Sequence, residues 1–360
     1  MISRIVFSVT YDCPISCKYC VTESGMWRGP FLNSRFMKDA IDEALALGHL
    51  IAVVFTGGEP LLKKREIKEV IQHAHQHQLW TRIVTNAFWA TTAKTALRVL
   101  RELKDAGLSE INLSCDDLHQ EHLPMSRVRN AYHAARELDM PILIAHKKVK
   151  NAKITPETIC DYFGVQLAEF KEGEINQRTD LYSTSLTIPV GHGAKTLNHE
   201  DYIVYPSSWT ACSGPCSGIL SSVIISPNKD VRICCGMIDQ RVPELTVGNL
   251  AKQSLAEIVY EGNTDLIANW LALEGPYGIM RFVQEKAPEI PFGEQYVNIC
   301  HLCNDIFTRG EVRNVLAKYA HEKIGSIALQ RGMLEAVRFK DETEVQALGK
   351  TLAHGVGASC

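Results

Sequence analysis

Cys13-Pro14-Ile15-Ser16-Cys17-Lys18-Tyr19-Cys20 follows directly on the apolar run Arg4–Val9. Three thiols spaced C-x3-C-x2-C on one short loop suit a cubane iron–sulfur cluster better than tetrahedral zinc, which takes four ligands. Three cysteines leave one iron of a four-iron cluster without a protein ligand. An open metal position is a place for a substrate or cofactor.

Outward from this loop the chain alternates strand and helix. Strand-like runs recur at Leu50–Thr56, Thr81–Thr85, Glu110–Cys115 and Pro141–His146, at the spacing of βα units. Between them lie helices with a 3.6-residue apolar period. Met37, Ile41 and Ala44 mark the first, capped by Asn33-Ser34; Ile67, Val70, Ile71 and Ala74 mark the second. Ala96, Leu100 and Leu103 mark the third, Val128, Ala131 and Ala135 the fourth, and Thr155-Pro156-Glu157 opens a fifth. The pattern predicts an α/β fold with a parallel sheet, curled into a partial (β/α)6, TIM-like barrel. Function then gathers at the C-terminal ends of the strands.

The second strand ends in Thr56-Gly57-Gly58-Glu59-Pro60. Two glycines let a ligand approach the backbone, and the carboxylate can pair with an ammonium. Together, C-x3-C-x2-C after the first strand and GGEP after the second resemble the radical S-adenosylmethionine (SAM) superfamily. The resemblance implies that Cys13, Cys17 and Cys20 hold a [4Fe-4S] cluster whose open iron chelates SAM. Reductive cleavage of SAM then gives a 5′-deoxyadenosyl radical that abstracts hydrogen from a substrate. It also implies that Gly57, Gly58, Glu59 and Pro60 hold the SAM amino group. Thr85 and Asn86 would line the pocket, with Ser114 or Asp116 on the ribose or carboxylate. Gly191 and Gly193, in a turn after a last strand at Thr187–Val190, would lie against the adenine.

Other residues at these strand ends have plainer readings. Phe88 and Trp89 either cover the cofactor or are core aromatics. On an extended strand Ser114 and Asp116 share one face, while Asp117 and His119 share the other as acid/base groups or as a solvated turn. Cys115 is read as a buried inert thiol rather than a hydrogen donor. Lys147 and Lys148 are read as surface charge. His73 and His77 sit at i, i+4 on the second helix, but no carboxylate accompanies them in sequence, so they are read as its solvated face.

The 360 residues carry 46% apolar and 22% charged side chains and a net charge of −3, the composition of an ordinary soluble protein. No apolar run approaches a membrane span, no signal peptide precedes Arg4, and no basic excess suggests nucleic acid. A reducing, cytoplasmic compartment is expected, so clustered cysteines read as metal ligands.

Of the 12 cysteines, Cys212, Cys216, Cys234, Cys235, Cys300 and Cys303 form a second group. Ser221–Ser226 and Val231–Cys235, joined by Pro227-Asn228-Lys229-Asp230, read as a β-hairpin. A helix follows from Ser254, then Cys300-x2-Cys303. This order resembles the twitch or SPASM extension of radical SAM enzymes, which binds auxiliary four-iron clusters. Arg309 stands where a SPASM pattern would place its next cysteine. One cluster is therefore implied, on Cys216, Cys234, Cys300 and Cys303, with Cys212 and Cys235 as alternates; a zinc site on the same thiols is the competing reading. The expected domains are residues 1–197 (the radical SAM core), 198–309 (the extension) and 310–360. The last is a helical tail interrupted at Gly325 and Gly332, its end disordered.

Many relatives with such extensions modify ribosomally made peptides by crosslinking, thioether formation, oxidation or epimerisation. Others oxidise aminoglycoside-like small molecules, and no leader-binding domain is evident before Arg4 or after Cys303. Peptide modification is the first expectation, small-molecule dehydrogenation the second, and a non-catalytic iron–sulfur or zinc scaffold the third. A flavodoxin or ferredoxin is the expected electron donor.

Overall fold

The computed structural model describes residues 2–26, 29–171, 180–209, 212–234 and 242–335; Cys235, Cys360 and the expected disordered tail end lie outside these. Six strands run parallel and adjacent in chain order: β1 (Arg4–Ser8), β2 (Ala52–Thr56), β3 (Trp80–Thr85), β4 (Glu110–Ser114), β5 (Ile142–Lys148) and β6 (Asp180–Leu186). This is the expected (β/α)6 order in an open sheet. The sixth strand lies earlier than expected. It is Asp180–Leu186, and Thr187–Val190 is the loop beyond it. The apolar residues Ile188 and Val190 mimicked a strand, but Pro189 between them has no N–H for a ladder.

The helices are α1 (Ser34–Ala46), α2 (Lys64–Gln76), α3 (Ala93–Asp105), α4 (Met125–Glu137) and α5 (Pro156–Phe163). Side-chain caps set three of their starts: Asn33 accepts from Phe36 N–H, Thr92 from Thr95 N–H, and Thr155 forms a capping box with Thr158. Their apolar stripes bury Ile41, Ile67, Leu100 and Ala131 against Phe7, Phe55, Ile83 and Ile111 on one face of the sheet. On the other face Val6, Val54 and Ile224 pack together. Each strand alternates between these two layers.

The predicted hairpin forms from β7 (Ser222–Ile225) and β8 (Asp230–Arg232), with β9 (Thr246–Asn249) added. It does not stand apart from the core. β7 pairs in parallel with β1, Ile5 opposite Val223, so the sheet continues across the first strand to ten strands among the described residues, the tenth being the two-residue strand Ala168–Glu169 at the edge beside β6. Ser254 caps α6 (Leu255–Thr264), as its sequence predicts, in a capping box with Glu257.

A second core gathers α7 (Leu266–Leu273), α8 (Gly275–Lys286), α9 (Ile299–Thr308) and α10 (Gly310–Tyr319) around Trp270, Ile279, Phe307 and Leu316. Contrary to expectation, Gly325 and Gly332 do not break the tail, since residues 324–335 are helical throughout. A single helical glycine costs only about 1 kcal/mol, and Ile327 anchors the helix to the second core.

Candidate active site at the strand ends

The cysteine loop is held by its backbone. Cys13 N–H donates to Gly25 O at 2.8 Å, and the Cys17 carbonyl accepts from Cys20 N–H at 3.1 Å. Cys13 and Cys17 are buried and Cys20 is half-buried, in a small cluster with Ile15, Tyr19, Phe88 and Leu123. Asn86 Nδ2 donates to Cys13 Sγ at 3.5 Å, and Ser24 N–H to Cys20 Sγ at 3.3 Å. Burial pushes the Cys13 thiol up to about 12. Metal binding there must therefore displace a firmly held proton.

The two glycines after β2 are needed by this loop. Gly58 N–H donates to Thr10 O at 2.7 Å and Glu59 N–H to Asp12 O at 2.8 Å. A Cβ on Gly57, whose φ is +131°, would meet Thr10 O at 2.4 Å, and one on Gly58 would meet Asp12 O at 2.3 Å. Gly191, at φ +59°, presses on the same loop from the far side, where a Cβ would lie 2.4 Å from Cys20 O. His192 N–H donates to Cys20 O at 2.9 Å, its Nδ1 lies 3.2 Å from Cys17 O, and Gly193 packs toward Tyr19.

Glu59 is fully buried, and its carboxylate meets the protein's own donors: Leu61 N–H at 3.0 Å, Asn86 N–H at 2.9 Å and the Thr85 hydroxyl. Burial raises its pKa to about 7 against those hydrogen bonds. Pro60 starts the 3-10 turn that Glu59 caps. Trp89 Nε1 donates to Thr85 Oγ1 at 3.1 Å, placing Trp89 in the wall of this network, whereas Phe88 packs on the cysteine loop. Between Asn86 and Phe88, Ala87 is buried at φ +60°. That backbone is strained for alanine and holds the turn that aims Asn86 at Cys13.

The parity reading of Ser114–His119 fails after β4. Ser114 ends the strand, half-buried. The chain then turns helical over Asp117–Gln120, so Asp116 and His119 meet instead of facing apart. Asp116 accepts from His119 N–H at 3.0 Å and lies 2.8 Å from its Nδ1; Tyr19 Oη is 3.1 Å from the same nitrogen. Burial works against the imidazolium, yet Asp116 and then Cys17 lift the His119 pKa well above its usual range. Burial likewise opposes the Asp116 carboxylate, but His119 holds it below its ordinary value. An aspartate three residues before a histidine, at the first turn of a helix, was the missed signal. Asp117 instead accepts from Lys153 and Ile154 N–H, anchoring a neighbouring loop.

Cys115 is fully buried, and burial pushes its thiol far up, in keeping with an inert core thiol. Lys148 is exposed as expected, but Lys147 is not surface charge. It is part-buried, burial lowers its pKa, and Asp116 and Cys300 both act on its ammonium.

Lys147 therefore lies within electrostatic reach of Asp116 and of Cys300 in the second group of thiols. Cys234 follows β8, Cys216 N–H donates to Leu271 O at 2.9 Å, and Cys300 and Cys303 share one side of α9, which Asn298 caps. After burial, repulsion from Cys234, Cys300 and Cys216 raises Cys303, and repulsion from Cys234 and Cys216 raises Cys300. Cys212 is turned away, its thiol directed to Tyr296 O at 3.7 Å. Four sulfurs around one zinc stand about 3.8 Å apart. Among the described residues no three cysteine sulfurs lie within 4.8 Å of one another. That spacing is wider than one tetrahedral zinc holds its sulfurs.

Residues 7–163 match the profile of the Radical SAM superfamily. A Bacillus subtilis protein named for peptide biosynthesis, YydG, is 20% identical over 313 residues, covering 85% of this chain and 92% of its own. The PqqA peptide cyclase of Bradyrhizobium diazoefficiens is 29% identical over 149 residues, 39% of this chain and 37% of its own. Among solved structures, native anSMEcpe with bound AdoMet aligns over 91% of this chain and 99% of its own, at 12% identity and a TM-score of 0.49.

Proposed function

Because residues 7–163 form a radical SAM superfamily domain, we propose that this chain is a radical SAM enzyme that modifies a ribosomally synthesised peptide. The observation that carries the substrate class is the similarity to a protein named for peptide biosynthesis, which runs through both the barrel and the second cysteine group.

Cys13, Cys17 and Cys20 would hold the [4Fe-4S] cluster that such a domain implies. When bound, that cluster and SAM supply the electron and the hydrogen-abstracting 5′-deoxyadenosyl group. The chain's own part is to orient and to exclude water. Asn86 steadies the Cys13 sulfur; Gly57, Gly58 and Glu59 bring the second strand's end against the cysteine loop. Gly57, Gly58, Glu59, Pro60, Thr85, Asn86, Ser114, Asp116, Gly191 and Gly193 form the SAM-binding set of this proposal. His119 and Asp116 fix the Tyr19 ring beside that pocket. Cys216, Cys234, Cys300 and Cys303 would hold a second four-iron cluster, a relay for electrons when bound, in a unit spanning residues 198–309. A flavodoxin or ferredoxin is the proposed donor. The ten described cysteines, all unbridged, suit the reducing cytoplasm.

The test is iron and acid-labile sulfide per chain, purified without oxygen. About eight irons in the native chain should fall to about four in a Cys13→Ala, Cys17→Ala, Cys20→Ala variant. Incubation with SAM, a reductant and short peptides encoded beside the gene should then release deoxyadenosine and change a peptide's mass. About four irons falling to none would remove the second cluster. Deoxyadenosine formed with every peptide unchanged would move the substrate to a small molecule.

A further inference from the structure

The structure supplies the carboxylate that His73 and His77 lack in sequence. Asp42, on α1, reaches across to α2. Its Oδ1 lies 2.7 Å from His73 Nε2 and 3.9 Å from His77 Nε2. The two imidazoles stand edge to face at 4.9 Å between ring centres. One donor atom from each of the three lies within 4.8 Å of the others.

We propose that Asp42, His73 and His77 form a zinc-class divalent metal site that clips α1 to α2 on the outer layer of the fold. Nitrogen and oxygen ligands about 2.0–2.2 Å from a tetrahedral ion stand about 3.3 Å apart. The two distances to Asp42 bracket that value, so a small rotation of one carboxylate completes the trio. Two imidazoles and one carboxylate select zinc, nickel, cobalt or copper over magnesium or calcium, which prefer all-oxygen sites. His73 is 20% exposed, His77 43% and Asp42 54%. An ion can therefore enter from solvent and keep water in its remaining position.

The scaffold is already set for it. α1 and α2 pack through Ile41 and Ala44 against Ile67, Val70 and Ile71, and Ser34 Oγ donates to Glu69 at 2.6 Å. From Ser34 to Asp42 and from Glu69 to His77 the two helices advance by the same number of residues. The hydrogen bond and the metal trio are thus matched rungs between parallel helices. The site stands apart from the cysteine groups and does not depend on the proposed reaction.

The test uses cluster-loaded protein, so that the cysteines are occupied. Equilibrium dialysis against Zn2+ should add one zinc per chain. His73→Ala and His77→Ala should each weaken binding at least ten-fold, while His75→Ala, on the same helix outside the trio, should not. X-ray absorption at the zinc edge should show nitrogen and oxygen ligands without sulfur. Zinc should raise the unfolding midpoint of the native chain and of His75→Ala, and of neither trio variant. No added zinc, sulfur in the coordination shell, or an affinity in His73→Ala and His77→Ala equal to that of the native chain would overturn the proposal.

Discussion

Thr85 Oγ1 lies 2.9 and 3.0 Å from the two carboxylate oxygens of Glu59. The same hydroxyl accepts from Trp89 Nε1 at 3.1 Å and Ala87 N–H at 3.2 Å. One proton and two lone pairs are thereby all in use. Thr85→Val keeps the shape and leaves the buried indole N–H without its acceptor and the carboxylate with one donor fewer. The expected loss is about 1–3 kcal/mol in urea unfolding, with Thr85→Ser recovering most of it. Equal midpoints for Thr85→Val and the native chain would show that the network adds nothing.

Gly191 and Gly164 both have positive φ but differ in surroundings. A Cβ at Gly164, φ +70°, meets nothing within 4 Å, while one at Gly191 strikes the Cys20 carbonyl. Gly164→Ala should therefore cost only the backbone strain, about 1–2 kcal/mol, with full iron content. Gly191→Ala should displace the cysteine loop and lower iron retained after gel filtration. Equal iron in the two variants would contradict this account of the loop.

Asp116 carries two duties, a helix cap and the counter-charge of His119. Asp116→Ala removes both and should cost about 3–5 kcal/mol. Asp116→Asn keeps an acceptor for His119 N–H and should lose clearly less. Chemical denaturation of the two variants side by side separates the cap from the charge.

Glu274 gives a pH dependence away from the cysteines. Burial would raise its pKa, but Lys323, Trp270 and Gln330 outweigh that and hold it below its ordinary 4.5. Below 4.5 the unfolded chain binds the proton first, so this contribution is present above that pH. It is lost as pH falls through the lower, folded value. Trp270 Nε1 donates to Glu274 at 2.8 Å, so indole fluorescence reports the event. The native unfolding midpoint should drop more steeply below pH 4.5 than that of Glu274→Gln; identical slopes would exclude Glu274 as a contributor.

The legible parts of this chain were those in which local sequence and tertiary need agree. α1 and α5 declared themselves through Asn33 and Thr155, which cap them in plain sequence, and α2, α3 and α4 through their apolar period alone. Cys13, Cys17 and Cys20 were legible because all three fall within one loop. What sequence hid was long-range. Asp42 and His73 lie on different helices, Lys147 is drawn by Asp116 and Cys300 from separate elements, and β7 joins β1 across most of the chain. Asp116 and His119 were close in sequence yet misread, because the two-residue period of a strand was carried past the point where the backbone turned helical.

The placement of β1 between β2 and β7 has a consequence for synthesis. One neighbour of β1 leaves the ribosome early. The other waits for the intervening chain, roughly 10–40 s at about 5–20 residues per second. Through that interval the strand that leads into the loop of Cys13, Cys17 and Cys20 has an open edge, and the loop's thiols are presented on an unfinished sheet. Iron delivered during elongation would meet a loop lacking Gly191 and His192 as well. The metal site proposed on Cys13, Cys17 and Cys20 is thus backed on all sides only once Gly191, His192 and β7 have been made.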